Sequence, residues 1–429
     1  MSSSVHTVEH LLYFTLLQLI VIVATARVFG WTARKLGQPR AVGEIVAGIA
    51  LGPTLFAAAA PTAFAYVFKS TDGMAVSIIS QLGLILLMLQ VGMEFEFGLL
   101  RERRNRTATV FVSAAGILVP FALGCAGGIV SAPVLAPGIN PVGYTLFCGV
   151  ALSITAMPVL ARIMLEFDLT RTRLGTVTIS AAAVNDVIGW TLLASVAAIV
   201  TGGFSFGGTA TRLLFLLGLL ALAFYVARPL LGALLQRAGA RTDPPQPLTP
   251  NALAIVLIFA FGASIATYQL GLFAIFGGFL IGVLLHDRAA LVAAWRERIA
   301  PFVTVLFLPV FFTFTGLRTD VHGLGSPVLW AWCALFIVLA FAGKFGGCYL
   351  GARLAGVPKD EARAMAILMN TRGLMELVAL NVGYDLGVIP THVFTMLVLM
   401  ALVTTVCTAP LLRLWLRRIG HTTPALRDA

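Results

Sequence analysis

Apolar runs of membrane-spanning length decide what this chain can fold into. Stretches such as "LLYFTLLQLIVIVATARVFG" and "LLFLLGLLALAFYVA" approach or reach the roughly 20 residues that an α-helix needs to cross the hydrocarbon. Apolar side chains make up 59% of the residues and charged ones only 11%, so lipid rather than water is the solvent these segments are built for. A β-barrel would alternate apolar and polar residues in segments of about ten, and these runs do not alternate. The expectation is an all-α polytopic membrane protein. The net charge of +11 would suggest a nucleic-acid partner in a soluble protein. Here the basic residues fall between the apolar runs and read as topology signals, so the partner is the lipid bilayer and no nucleic acid is expected.

Breaking the chain at polar, Gly and Pro clusters gives about thirteen spans, each near the length a helix needs to cross. They run 8–29, 39–57, 74–98, 107–130, 140–165, 172–201, 207–236, 249–268, 270–287, 299–318, 326–355, 360–388 and 391–417. Most Lys and Arg residues follow odd-numbered spans, "RERRNR" at 101–106 among them, while Lys69, Arg212 and Arg318 lie on the other side. By the positive-inside rule the N-terminus is outside and the C-terminus cytoplasmic. No cleavable signal is expected at "MSSSVHTVEH", which lacks a basic n-region. The proline-rich linker "QRAGARTDPPQPLTPN", 236–251, separates a first six-helix set (8–201) and a connecting helix (207–236) from a second six-helix set (249–417). A short tail, 418–429, closes the chain. With an odd connector, the two sets are inverted repeats, the plan of many transporters.

Few charges lie at membrane depth. Asn185 and Asp186 sit in "SAAAVNDVIGW", Lys344 in "FAGKFGGCYLG", and Arg372 and Glu376 in "MNTRGLMELV". A charge inside the membrane is costly and marks a functional site or an ion pair. Asp186 is the expected partner of Lys344; Arg372 and Glu376, four residues apart, suit an intrahelical pair. Two spans carry breakers at their middles. One is "LSITAMPVLARIM", with Ser153, Thr155 and Pro158; the other is "LMNTRGLMEL", with Asn370 and Gly373. Unwound backbone at this depth is tolerated where it is buried in protein or lines a wet cavity, and its carbonyls can replace a cation's hydration shell. The breaks fall in spans 5 and 12, equivalent positions in the inverted sets, which points to a binding site there. Glu44, Glu94 and Glu96 read as local caps or pairs. The five cysteines lie in apolar segments without CxxC spacing and read as small core residues. No HExxH, GxSxG or P-loop pattern is present, so an enzyme is not expected, nor is a cofactor, nor any metal beyond a transported monovalent cation.

The stretches "QPRAVGEIVAGIALGP", "LSITAMPVLARIMLEFDLTRTRLG", "SAAAVNDVIGW" and "MNTRGLMELVALNVGYDLGVI" occur in this order, and with them the chain resembles the second branch of the monovalent cation:proton antiporters. That branch holds Kef-type proteins, bacterial Na+/H+ antiporters and plant cation/H+ exchangers. The resemblance implies the sodium-proton antiporter fold: thirteen helices, crossed discontinuous helices, a core domain and a dimerisation domain, a homodimer, and an elevator movement. It makes Asp186 the shared proton and cation site and Lys344 the family's membrane lysine. The crossed breaks would be Ser153 to Pro158 and Asn370 to Gly373. Asn185 stands where electrogenic relatives carry a first Asp, and no counterpart of the Kef-type nucleotide-binding regulatory domain is expected. A regulatory subunit on a separate chain is left open.

The expected function is a secondary antiporter of the cell (inner) membrane that exchanges Na+ or K+ for H+. A single buried carboxylate can be neutralised by either ion but not comfortably by both, so competition for Asp186 is the coupling. Burial and the Lys344 charge together set how readily it takes up a proton. Asn185 would orient the carboxylate, and Thr155 with neighbouring carbonyls would ligate the cation. With one carboxylate the simplest cycle is electroneutral; if Lys344 also releases its proton when the cation takes its place, two protons move and the cycle is electrogenic. Two alternatives stay open from the residues alone: a gated K+ efflux path without strict proton coupling, and a sodium-coupled symporter of organic solutes.

Overall fold

The structure, a computed structural model, describes residues 2–93, 103–167, 169, 172–202, 218–238, 248–270 and 273–418. Glu94 and Glu96, much of the 207–236 connector, the interior of the linker and nearly all of the tail lie outside them. Every regular element among the described residues is a helix. Three helices open on the same local device, a polar residue followed by proline: Asn140-Pro141, Thr249-Pro250 and Ser326-Pro327. Asn140 Oδ1 accepts from the amides of Val142 (2.9 Å) and Gly143 (3.2 Å). Thr249 Oγ1 accepts from Ala252 N at 3.2 Å and Ser326 Oγ from Leu329 N at 3.3 Å. Each cap satisfies amides that have no intrahelical partner, and the proline occupies a position whose missing N–H costs nothing.

Among the described residues, nine helices are long and apolar enough to cross a membrane. The count of about thirteen expected from hydropathy differs because four of those spans are not continuous long helices. Two of them hold a short helix each, Arg40–Leu51 and Ile275–Leu285. The other two are each divided, into Pro141–Ser153 and Met157–Glu166, and into Lys359–Met369 and Leu374–Asp385. Large apolar side chains such as Leu118, Ile129, Val338 and Leu350 point out of the protein from the long helices, as lipid-facing residues do.

The chain folds into two compact units, each assembled from separated segments. The first comprises Met1–Arg27, Ala47–Phe95 and Thr201–Leu317. In it, Met74–Met93 packs against Ile275–Leu285 and Leu308–Leu317, and Val256, Ala260, Ile281, Leu284 and Trp295 form part of its core. The second comprises Val28–Val46, Glu96–Val200 and Arg318–Ala429. Its axis is the helix Arg103–Leu135, packed along both Pro327–Leu354 and Pro141–Ser153, with Thr391–Arg418 against Pro327–Leu354 and Lys359–Met369. Leu160, Ile163, Phe167, Val177, Met365 and Leu412 lie in its core. All the membrane-depth residues singled out from the sequence belong to this second unit.

Candidate functional site: two helix breaks, one capped by buried cations

The helix Pro141–Ser153 stops inside an apolar span, residues 154–156 are unwound, and the backbone resumes as Met157–Glu166. Pro158, the breaker in the sequence, stands at the second position of the resumed helix, where proline is tolerated, and the break precedes it. The helix Lys359–Met369 stops in the same way, and Leu374–Asp385 begins after Gly373. The breaks touch: Ala156 N donates to Thr371 O at 3.1 Å. Gly373 adopts φ +156°, a region open to glycine rather than to L side chains. A Cβ there would also come within 3.0 Å of Val159 Cγ2 on the opposite half-helix.

A helix end leaves its last carbonyls without amide partners, and in hydrocarbon each such group is expensive. The two ends solve this differently. At the second break the chain closes on itself: Asn370 N bonds Ile367 O (3.2 Å), Thr371 N bonds Leu368 O (3.1 Å), and Thr371 Oγ1 donates to Leu368 O (2.6 Å). At the first break the carbonyls are taken by two fully buried cations. Arg372 donates to Ala151 O (2.8 Å) and Leu152 O (2.6 Å), and Lys344 donates to Ser153 O. Both charges therefore sit at the negative end of the helix dipole, where cations are favoured. Arg372 also pairs with Glu376 at 3.1 Å, both side chains fully buried. Its own backbone is held by Thr405, whose Oγ1 accepts from Arg372 N (2.9 Å) and lies 2.7 Å from Arg372 O.

Asp186 is 2% exposed on the helix Arg173–Gly202. Neither of its oxygens is hydrogen-bonded among the described residues; the groups acting on its charge are Lys344 and the Met157 backbone at the start of the resumed half-helix. The ammonium of Lys344 is turned to carbonyls, Gly116 O at 2.9 Å as well as Ser153 O. It thus acts on Asp186 through space rather than in the direct contact the sequence suggested. Asn185 does not orient the carboxylate. With its amide nitrogen facing acceptors, it donates to Ser113 O (3.3 Å) and Ala181 O (3.2 Å), because neighbouring helical residues point about 100° apart. The Ser153 hydroxyl turns back onto Val150 O at 2.9 Å. Thr155 Oγ1 and both polar atoms of the Asn370 side chain are buried and without hydrogen bonds. Of the carbonyls neighbouring Thr155, those of residues 151–153 receive Arg372 and Lys344. Among the described residues, the buried side-chain oxygens without a hydrogen bond include those of Asp186, Thr155 and Asn370. Thr405 and Gly116 were missed from sequence: a threonine inside "ALVTTVCTAP" has no local sign of reaching Arg372, and a backbone acceptor carries no residue signature.

Residues 20–417 match the family described as sodium/hydrogen exchanger, transmembrane. The chain belongs to that family. It is 37% identical over 408 residues to the Na+/H+ antiporter NhaS4 of Synechocystis sp., covering 93% of this chain and 96% of the relative. Cation/H+ antiporter 17 of Arabidopsis thaliana is 35% identical over 404 residues, 94% of this chain and 48% of that protein. K+/H+ antiporter 1 of Saccharomyces cerevisiae is 30% identical over 386 residues, 88% of this chain and 43% of that protein. The chain thus spans about half the length of these plant and yeast relatives. Among solved structures, the sodium proton antiporter MjNhaP1 from Methanocaldococcus jannaschii matches with a TM-score of 0.66 at 16% identity, over 97% of this chain and 98% of that one. The antiporter fold and the family implied by the sequence resemblance are therefore those of this exchanger.

Proposed function

We propose that the protein exchanges a monovalent cation, Na+ or K+, for H+, with the two ions competing for the carboxylate of Asp186. The observation that carries this reading is a buried carboxylate whose oxygens have no hydrogen-bonded partner, beside a half-helix N-terminus and within the field of a lysine. An isolated buried carboxylate is strongly unfavourable, so it must be neutralised, by a proton or by a cation. Thr155 Oγ1 and the Asn370 side chain offer neutral ligands. Lys344 and Arg372 hold the broken helix through its carbonyls, Glu376 compensates Arg372, and the proposed cycle is electroneutral. Alternating access is of the elevator kind, with the unit that carries Asp186 moving across the bilayer in a homodimer. The protein lies in the cell membrane with its N-terminus outside and C-terminus in the cytoplasm.

The test is reconstitution into liposomes with a trapped pH indicator, adding Na+ and K+ in separate runs beside Asp186→Asn. Dissipation of the pH gradient by one cation, absent in the variant, is the expected result and names the ion. Cation flux that persists unchanged in Asp186→Asn would point to a channel-like path and overturn the reading.

A further inference from the structure

The geometry points to Pro120 as a positioning residue for Lys344. In a helix the amide of residue i bonds the carbonyl of residue i−4, and proline has no amide hydrogen to give. Pro120 lies inside the helix Arg103–Leu135, and the carbonyl it deprives of a partner is that of Gly116. Gly116 O is the acceptor that Lys344 Nζ reaches at 2.9 Å. An interior proline is among the costliest residues a helix can carry, and here the acceptor it vacates is filled from another helix.

Packing delivers the lysine to that acceptor. Gly343, immediately before Lys344, meets Pro120 so closely that a Cβ would lie 2.9 Å from Pro120 Cα; at Gly347, one turn on, it would lie 2.4 Å from Ala115 O. The helix Pro327–Leu354 can therefore approach Arg103–Leu135 at backbone contact only along this glycine face. Lys344 is buried at the crossing with two of its three N–H donors on Gly116 O and Ser153 O. Besides Arg372, Glu376 and Asp186, the titratable group acting on its charge is Cys348. Gly116 O and Ser153 O together keep the ammonium on carbonyls. With Gly116 O claimed by an amide, one N–H of Lys344 is released toward the charge of Asp186, the group a transported cation needs. The consequence for transport rests on the exchange reading above; the consequence for stability does not.

Pro120→Ala restores an N–H that claims Gly116 O. Its effect is to be measured in the full-length protein, in the wild-type background and in Lys344→Met, by thermal unfolding in detergent and by cation-dependent exchange in liposomes. With Lys344 present, the substitution is expected to lower the melting temperature. In Lys344→Met it is expected to raise it, because the new amide then satisfies an otherwise orphaned buried carbonyl. Exchange should show an apparent cation KM raised about fivefold with the maximal rate retained, since an ammonium drawn to Asp186 competes with the cation. Pro120→Ser also restores the N–H and serves where the alanine variant does not accumulate. Equal melting shifts in the two backgrounds, or loss of maximal rate with an unchanged KM, would overturn the proposal and leave Pro120 a packing residue. Should wild-type protein exchange neither Na+ nor K+, the functional reading falls while the melting comparison still decides the role of Pro120.

Discussion

Thr405 carries more of the site than its size suggests. Its single hydroxyl accepts from Arg372 N, and its one proton serves either Arg372 O at 2.7 Å or its own helix at Ala401 O, 2.8 Å. Valine has the same shape without the oxygen, so Thr405→Val leaves the Arg372 amide unsatisfied at bilayer depth, a loss of about 1–3 kcal/mol. The expected result is a lowered melting temperature in detergent, which Thr405→Ser restores; equal loss in both variants would mean that the methyl group, not the hydroxyl, matters. Asp186 should behave in the opposite way. Its carboxylate is buried without a hydrogen bond, and a neutral amide of the same shape removes that cost. Asp186→Asn is therefore expected to abolish exchange while leaving the melting temperature equal to or above that of the wild type, the usual trade between function and stability at a working site. A large fall in melting temperature would instead assign Asp186 a structural role.

The divided helices were half legible in the sequence. Proline, asparagine and glycine inside apolar runs announced where the backbone leaves the helix. The acceptors that receive Arg372 and Lys344 were not legible, because they are main-chain carbonyls of Gly116 and residues 151–153, which carry no residue identity. The glycines at 343 and 347 carry no sign in the sequence that their close packing brings Lys344 to its acceptors. Away from the site, the turn after Ile275–Leu285 holds an ion pair in the first unit. Asp287 bonds Arg228 at 2.6 Å, both side chains about two-fifths exposed. Burial pushes the Asp287 carboxyl up, but Arg228, with His286 and Arg288, outweighs it and leaves it below the ordinary carboxylate value. A depressed folded value stabilises above the unfolded carboxylate pKa, and that stabilisation is lost as pH falls through the folded one. At this exposure it is worth about 0.2–1 kcal/mol. The melting difference between wild type and Asp287→Asn should be present at pH 7, shrink in high salt and vanish in acid; a difference that grows on acidification would contradict the assignment.

Each compact unit draws on both halves of the chain, whereas hydropathy divides the chain in sequence order, at the linker. Local periodicity finds spans but not the long-range packing that sorts them: Asp186 and Lys344, from the two halves, were expected to meet, and the family resemblance implied a core domain, but which segments join in one unit was not legible. Their arrangement bears on the charge carried in each cycle. With Lys344 held on two carbonyls and Arg372 on two more, neither needs to release a proton for a cation to reach Asp186. On the proposed exchange the carboxylate would cross with either one proton or one monovalent cation, both loaded forms having the same charge. One net charge per cycle would couple to the membrane potential by about 2.3 kcal/mol per 100 mV, roughly a 50-fold change in the ion ratio at which exchange stops. In liposomes clamped at zero and at 100 mV, that stopping ratio is expected to be the same. A stopping ratio that moves with voltage, together with a current that disappears in Lys344→Met, would mean that the lysine proton travels too and that the cycle moves two protons for each cation.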